Sequence, residues 1–541
     1  MYVWLDPADS RGSALWEWSA VGGPTIQASY RLDGLAAIAV AIGGLYIAAS
    51  LVATTRVSAR HQLLRPMILL NGLVFMTVAV TDDLIACIVV LGALGALTSF
   101  IALLVSPAAA VARITGYLAG GVQGFVVAAL LVSRFGGASF RFDTISPEAV
   151  TPGVVLAASL GAALFAGLYP FVPWGYRQEE AGERESLRGL LTMPAGLGAT
   201  LVLWRILGVT RIDLSTLALP AIISDGLIAI VVAALALRFI MRRRKPGLRR
   251  RIAITLMVLA LILAYPFLHW SHLILLASLL TIAYAAAVSL ALPEQWPISR
   301  YDVVLAALWI ALATGSPTAL AGSLVVLAGG GLAAISDGFW MPPHRSHITA
   351  MASSTVIVAG AMTIVIGALE APDLVTLGLA VVAAGAVLGL ELAHAGRRLS
   401  IATVPADLDV SASIASFLGT IMVILALSLP LFDALSEAFG RPNTRALDDL
   451  VTLIPVVAVF STLLVVLARA IRVLLPETTA LSTRLVAVVS AADPVPIAAA
   501  SFRALAGSAT TVSNVFAMFE ERAGVWLALM LIASLLVWAV R

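Results

Sequence analysis

Residues 84–106 read LIACIVVLGALGALTSFIALLVS, a run without a single charged side chain. At about 1.5 Å of rise per residue, a helix of this length covers the roughly 30 Å hydrocarbon core of a bilayer. Gly92, Ala93, Gly95 and Ala96 suit close approach of a neighbouring helix. The run starts directly behind Thr81-Asp82-Asp83, and another apolar stretch, 66–81, ends at the same place. The two are therefore expected to form a tight helical hairpin. Working outward, comparable runs fall at 32–55, 113–133, 152–172, 188–207, 217–241, 251–268, 271–292, 302–315, 317–335, 348–369, 372–394, 411–432, 450–475 and 524–540. The expected fold class is an all-α polytopic membrane protein with about 14–16 spans, the membrane-crossing length being the criterion. The run 302–315 is short and meets the next at Gly315-Ser316-Pro317, so it reads as a re-entrant element or a broken helix.

Composition agrees. Of 541 residues, 61% are hydrophobic and 12% charged, with a mean hydropathy of +1.02. Soluble domains carry about 25% charged residues, so a water-soluble core of this size would lack a polar shell. Short alternating segments of the kind that build a β-barrel do not dominate. The single cysteine, Cys87, lies in an apolar run and excludes an internal disulfide or a multi-cysteine metal centre. The first thirty residues contain Asp6, Asp9, Arg11 and Glu17 rather than a basic stretch before an apolar core. The first span is therefore expected to act as a retained insertion signal.

The basic residues test this map. With the N-terminus outside, Arg11, Arg31, Arg134, Arg141, Arg205, Arg211, Arg441, Arg445 and Arg541 face outward, and the other 24 of 33 face the cytoplasm. That bias fits the positive-inside rule and predicts a multi-pass protein of the cytoplasmic (inner) membrane with both termini external. The steepest cluster, MRRRKPGLRRR at 241–251, reads as a topology anchor near anionic headgroups. Nucleic acid is not an expected partner, because no soluble domain could build a groove around that cluster. The domain reading is a short external segment (1–31), a transmembrane bundle (32–475), an amphipathic or lateral cytoplasmic-side arm (476–522) and a C-terminal span (523–541).

There is no nucleotide loop, HExxH or GxSxG motif, and the expectation is no cofactor, no metal and no catalytic residue. His344 and His347 follow Pro342-Pro343 and are too few for a metal centre, while His269 and His272 flank Trp270 at a span boundary and read as interface anchors.

Three local stretches carry a resemblance. They are Tyr30-Arg31-Leu32-Asp33-Gly34-Leu35, then Thr81-Asp82-Asp83-Leu84, then Gly161-Ala162-Ala163-Leu164-Phe165 followed by Tyr169-Pro170-Phe171-Val172-Pro173-Trp174. In order and spacing the chain resembles the antiporter-like membrane subunits of proton-pumping NADH:quinone oxidoreductase (complex I) and of multisubunit cation/proton antiporters. The motif-matching positions are Arg31, Asp33, Gly34, Asp82, Asp83, Pro170, Phe171 and Trp174. The resemblance implies an outer N-terminus, a core of about fourteen helices and, in the longest members, a C-terminal arm with a further span. It also implies other membrane subunits as partners.

The departures decide the functional expectation. The family's glutamate falls within Val90-Leu91-Gly92-Ala93, where no acid stands. The family's lysine falls at Phe165 and its histidine at Val172. Lys245, the only lysine, sits in the 242–251 loop. Transport through a bundle needs intramembrane ionisable groups, which are costly and kept only when used. Here the candidates are Asp225, behind Pro220 and before Gly226, and Glu391, with Asn71 and Gln123 as further polar points. Asp33, Asp82 and Asp83 read as helix caps.

The expected function is a divergent, proton-inactive antiporter-like subunit acting as a scaffold in a respiratory or antiporter complex. Two further readings stand beside it: a stand-alone secondary transporter using Asp225 or Glu391, and, ranked below both, a lipid-linked sugar transferase using Asp82 and Asp83.

Overall fold

The computed structural model describes residues 11–19, 25–54, 63–106, 108–134, 139–169, 171–172, 185–210, 269–291, 296–338, 343–369 and 374–401. The expected spans at 217–241, 251–268, 411–432, 450–475 and 524–540, the 242–251 cluster and the 476–522 arm lie outside the described residues.

The chain enters through an antiparallel hairpin of β1 (Arg11–Ser19) and β2 (Thr25–Leu32), paired from Arg11↔Leu32 to Ser19↔Thr25. The sequence reading had no strand here. Eleven α-helices and one short 3-10 helix (Pro147–Ala149) follow among the described residues: α1 (Gly34–Ala53), α2 (Leu64–Val80), α3 (Leu84–Val105), α4 (Ala108–Arg134), α5 (Pro152–Ala166), α6 (Glu185–Thr210), α7 (Trp270–Ala291), α8 (Trp296–Thr314), α9 (Pro317–Gly338), α10 (Pro343–Ala368) and α11 (Leu374–Ile401). Five of them are long and apolar enough to cross a membrane, so the protein is a multi-pass membrane protein. Among the described residues the architecture is α-helical apart from the hairpin and two isolated β-bridges.

Helix α6 is the axis of the first half. It touches α1, α2, α3, α5 and α8, and 94% of its most apolar window is buried. Helix α5 is shorter than the expected run 152–172. It stops at Ala166 because Gly167 adopts a left-handed φ of 67°, a conformation that glycine reaches without strain. Helix α8 corrects the sequence in the other direction. It is a continuous helix of 19 residues beginning at Trp296, not a short re-entrant piece beginning at Asp302. The sequence reading stopped short of Arg300, but that side chain is buried against Glu391 of α11, and an ion pair makes such a charge tolerable inside the bundle. Gly315 (φ 64°) then turns the chain, and the Ser316 hydroxyl accepts the Ala319 N–H at 3.2 Å to cap α9.

Helices α9 and α10 lie nearly backbone to backbone. A Cβ placed on Gly360 would stand 2.6 Å from the carbonyl oxygen of Gly322, and one on Gly322 would stand 2.7 Å from that of Gly360. Without a hydrophobic drive between helices in lipid, such close packing is what holds them together. Gly360→Ala is expected to cost about 1–3 kcal/mol, because neither backbone can yield. Gly385→Ala on α11, with nothing within 4 Å of its Cβ position, should be neutral or slightly stabilising. Thermal unfolding of the two variants in detergent checks the contrast, and an equal loss in both would contradict it.

Candidate functional site

Arg31, Asp33, Asp82, Asp83, Arg141, Asp143 and Arg205 gather at the end of the bundle where the hairpin sits. Strand β2 leads directly into α1, and the Asp33 carboxylate caps that helix by accepting the Ala36 N–H at 2.7 Å. The turn between α2 and α3 runs extended beside it. Tyr30 and Thr81 form an antiparallel bridge, and the Asp82 N–H donates to the Ser29 carbonyl at 3.1 Å. On its other edge the turn meets 140–142. Asp83 bridges Arg141, the Phe142 N–H donates to the Asp82 carbonyl, and the Leu84 N–H donates to the Phe140 carbonyl. Asp83 caps α3 through the Ala86 N–H at 3.0 Å.

Asp82 does not cap a helix, and this corrects the sequence reading. Its side chain is only 2% exposed and points into a guanidinium cluster. Arg205 of α6 approaches Asp82 at 3.8 Å and Asp33 at 3.5 Å. Its two terminal nitrogens also donate to the carbonyls of Thr81 (2.6 Å) and Ala79 (2.8 Å), which closes the C-terminal end of α2. Arg31 pairs with Asp33 at 3.5 Å, and Arg141 lies 3.7 Å from Asp82 while also holding Asp143. Burial lifts the Asp82 carboxyl above the ordinary carboxylate range. Arg205, Arg31 and Arg141 pull it down without cancelling that rise, and Asp143 adds to it. The structure thus brings Arg31, Asp33, Asp82 and Asp83 together, and Gly34 opens α1 beside them.

The sequence reading missed Arg205 and Arg141, having counted both as topology charges. The available signal was an arginine within the apolar run 188–207, since such a charge in a span calls for a partner.

The Val90–Ala93 window and Phe165, which the family resemblance marks for an acid and a base, carry no ionisable side chain. Leu91 is fully buried on α3, and Phe165 is 3% exposed on α5. The Phe165 ring fills the space over Gly121 and lies 3.7 Å from the Cβ position of Gly95. Leu94 and Phe75 close the same interior from α3 and α2, next to Gly198 of α6. Val172, at the family histidine position, is buried, and the Phe171 ring meets Tyr117 edge-on at 5.9 Å. Pro170, Trp174 and Asp225 lie outside the described residues.

A second charged pair lies toward the other end. Arg300 of α8 and Glu391 of α11 stand 3.6 Å apart, with side chains 3% and 1% exposed. Adjacent Tyr301 packs on Gly189 at the start of α6 and edge-on to Tyr46 at 6.3 Å. Sixteen residues of α6 separate Gly189 from Arg205, about 24 Å along the helix. Elsewhere in the first half, the Thr98 hydroxyl and the Asn71 amide oxygen form a buried neutral contact at 3.4 Å. Gln123 is exposed on α4 and does not face this interior. Among the described residues no three His, Cys, Asp or Glu side chains converge to hold a metal ion.

No family model matches the chain, and no curated protein matches it in sequence. Solved structures do match it in fold. A chain of respiratory complex I from Thermus thermophilus, solved with bound NADH, aligns over 81% of this chain and 91% of that one, at a TM-score of 0.53 and 15% identity. A chain of the membrane-bound sulfane sulfur reductase, an archaeal respiratory membrane complex, aligns over 84% of this chain and 90% of that one, at 0.51 and 10% identity. At such identities the likeness is one of fold alone, a polytopic α-helical membrane fold shared with those two chains.

Proposed function

We propose that this chain is a proton-inactive antiporter-like subunit, a scaffold held among other membrane subunits of a respiratory or ion-translocating complex related to NADH:quinone oxidoreductase. One observation carries the proposal. In the Val90–Ala93 window, where the family resemblance expects an acid, no acid stands and Leu91 is buried, and at the expected base position Phe165 is buried and packed on Gly121 of α4. A proton path needs titratable groups and water in that space, and an aromatic ring seated on Gly121 leaves an apolar wall instead. Any electron transfer falls to partner subunits. The charge bias of the sequence supports a hairpin end facing outward from the cytoplasmic membrane.

A second reading rests on a different observation, the buried Glu391 on a membrane helix. In that reading Glu391, or Asp225, is the transport acid of a stand-alone secondary transporter. The sugar-transferase reading gains no support. Asp82 and Asp83 are 2% and 0% exposed and are engaged with Arg205 and with the start of α3, so neither is presented to a substrate.

The test is purified protein in sealed liposomes, driven by a pH gradient and separately by a sodium gradient, with an intact antiporter as positive control. The expected result is flux no greater than in empty liposomes, together with stoichiometric partner subunits after gentle purification from native membranes. Flux that disappears on Glu391→Gln or Asp225→Asn would establish the second reading in its place.

A further inference from the structure

Among the described residues, the hairpin Arg11–Leu32 meets the bundle through backbone links at the Thr81-Asp82 turn. Its far strand holds the α2–α3 turn through the Tyr30↔Thr81 bridge and the Asp82 N–H to Ser29 carbonyl bond. Asp82 then faces charged groups from every element around it. These are Arg31 and Asp33 at the hairpin exit, Asp83 at the head of α3, Arg141 and Asp143 on the following loop, and Arg205 on α6. The Cys87 thiol, one turn into α3, lies on the same side of the turn and points at the Thr81 carbonyl.

The charge arithmetic of this cluster is uneven. With Asp82 ionised, four carboxylates (Asp33, Asp82, Asp83, Asp143) meet three guanidiniums (Arg31, Arg141, Arg205). With Asp82 neutral the numbers match. No guanidinium would then be left alone, since Arg205 keeps Asp33 and two carbonyls, Arg31 keeps Asp33, and Arg141 keeps Asp143. Among the described residues Asp82 Oδ1 accepts no hydrogen bond, so ionisation buries that oxygen without a short donor.

We infer that Asp82 is a proton-binding site that tightens the clasp between the N-terminal hairpin and the bundle as the pH on that face falls. The sign follows from linkage. A carboxyl that binds its proton more tightly in the clasped than in the open state favours the clasped state below its own titration, and loses that contribution as pH rises through it. Burial of Asp82 makes its shift upward, so acid closes the clasp. This inference concerns the face of the protein that carries the hairpin and is independent of the scaffold proposal, because no proton needs to cross the membrane.

Amide hydrogen exchange reads the clasp directly, since the Asp82 N–H is itself one of its bonds. The full chain in lipid nanodiscs would be measured from mildly acidic to mildly alkaline pH, with rates corrected for the intrinsic pH dependence of exchange. Protection at Thr81, Asp82 and Tyr30 is expected to rise as pH falls, by at most about tenfold per pH unit, the limit for one linked proton. Asp82→Asn mimics the neutral carboxyl. It should fold, hold the amides protected at every pH and abolish the slope. A protonated-carboxyl band in the acid-minus-alkaline infrared difference spectrum should vanish in the same variant. The inference is overturned if the wild-type protection is flat with pH or falls with acid, if Asp82→Asn keeps the slope, or if that variant does not fold.

Discussion

Replacing Arg205 with alanine is expected to destabilise the protein by roughly 3–5 kcal/mol, the range for removing one partner of a buried ionic group. Several losses coincide. Asp82 loses its approach at 3.8 Å and Asp33 its approach at 3.5 Å, while the carbonyls of Thr81 and Ala79 lose their donors. Asp82 stays 2% exposed, so water cannot replace the guanidinium without opening the turn. Arg205→Lys should fall between wild type and alanine, because an ammonium carries the charge but cannot reproduce a planar fork that reaches two carbonyls. Adding Asp82→Asn to Arg205→Ala should recover part of the loss by removing the unpaired charge. Unfolding of the four proteins in mixed micelles measures the series. A loss below about 1 kcal/mol for Arg205→Ala, the level of a surface pair, would show that the cluster is solvated.

This cluster also shows how far the sequence could be read. The membrane fold was legible because hydrocarbon demands long uncharged helices, and 84–106 or 271–292 cannot satisfy their backbones in any other way there. Element ends were less legible wherever a charge had a remote partner. Arg300 looked like the edge of a span and proved to be interior, since Glu391 lies some ninety residues further along the chain. The hairpin was missed for a related reason. Its anchorage comes from Thr81 and Asp82, some fifty residues further along the chain, which no local pattern announces. The motifs Arg31-Leu32-Asp33-Gly34 and Thr81-Asp82-Asp83 were visible as motifs. What they share, a guanidinium from α6, depends on a fold that brings residue 205 beside residue 82.

The Arg300–Glu391 pair yields the other large expected effect, and it separates stability from transport. Both side chains are almost wholly buried, at 3% and 1% exposure. Glu391→Ala should cost roughly 3–5 kcal/mol, because the guanidinium stays inside the bundle with its carboxylate gone. Arg300→Met should cost a similar amount for the mirrored reason. The double variant Arg300→Met with Glu391→Leu should be far less damaged than the sum, and near wild type, because well-packed apolar side chains remove both desolvation penalties at once. Under the scaffold reading the double variant keeps both stability and assembly with partner subunits, since the pair then contributes only to holding α8 against α11. Under the transporter reading it keeps stability and loses substrate-dependent flux. A double variant as unstable as either single one would mean that Arg300 and Glu391 are each held by other groups in the bundle. The pair would then be a node in a wider polar network, and its charge would have to be retained for the fold itself.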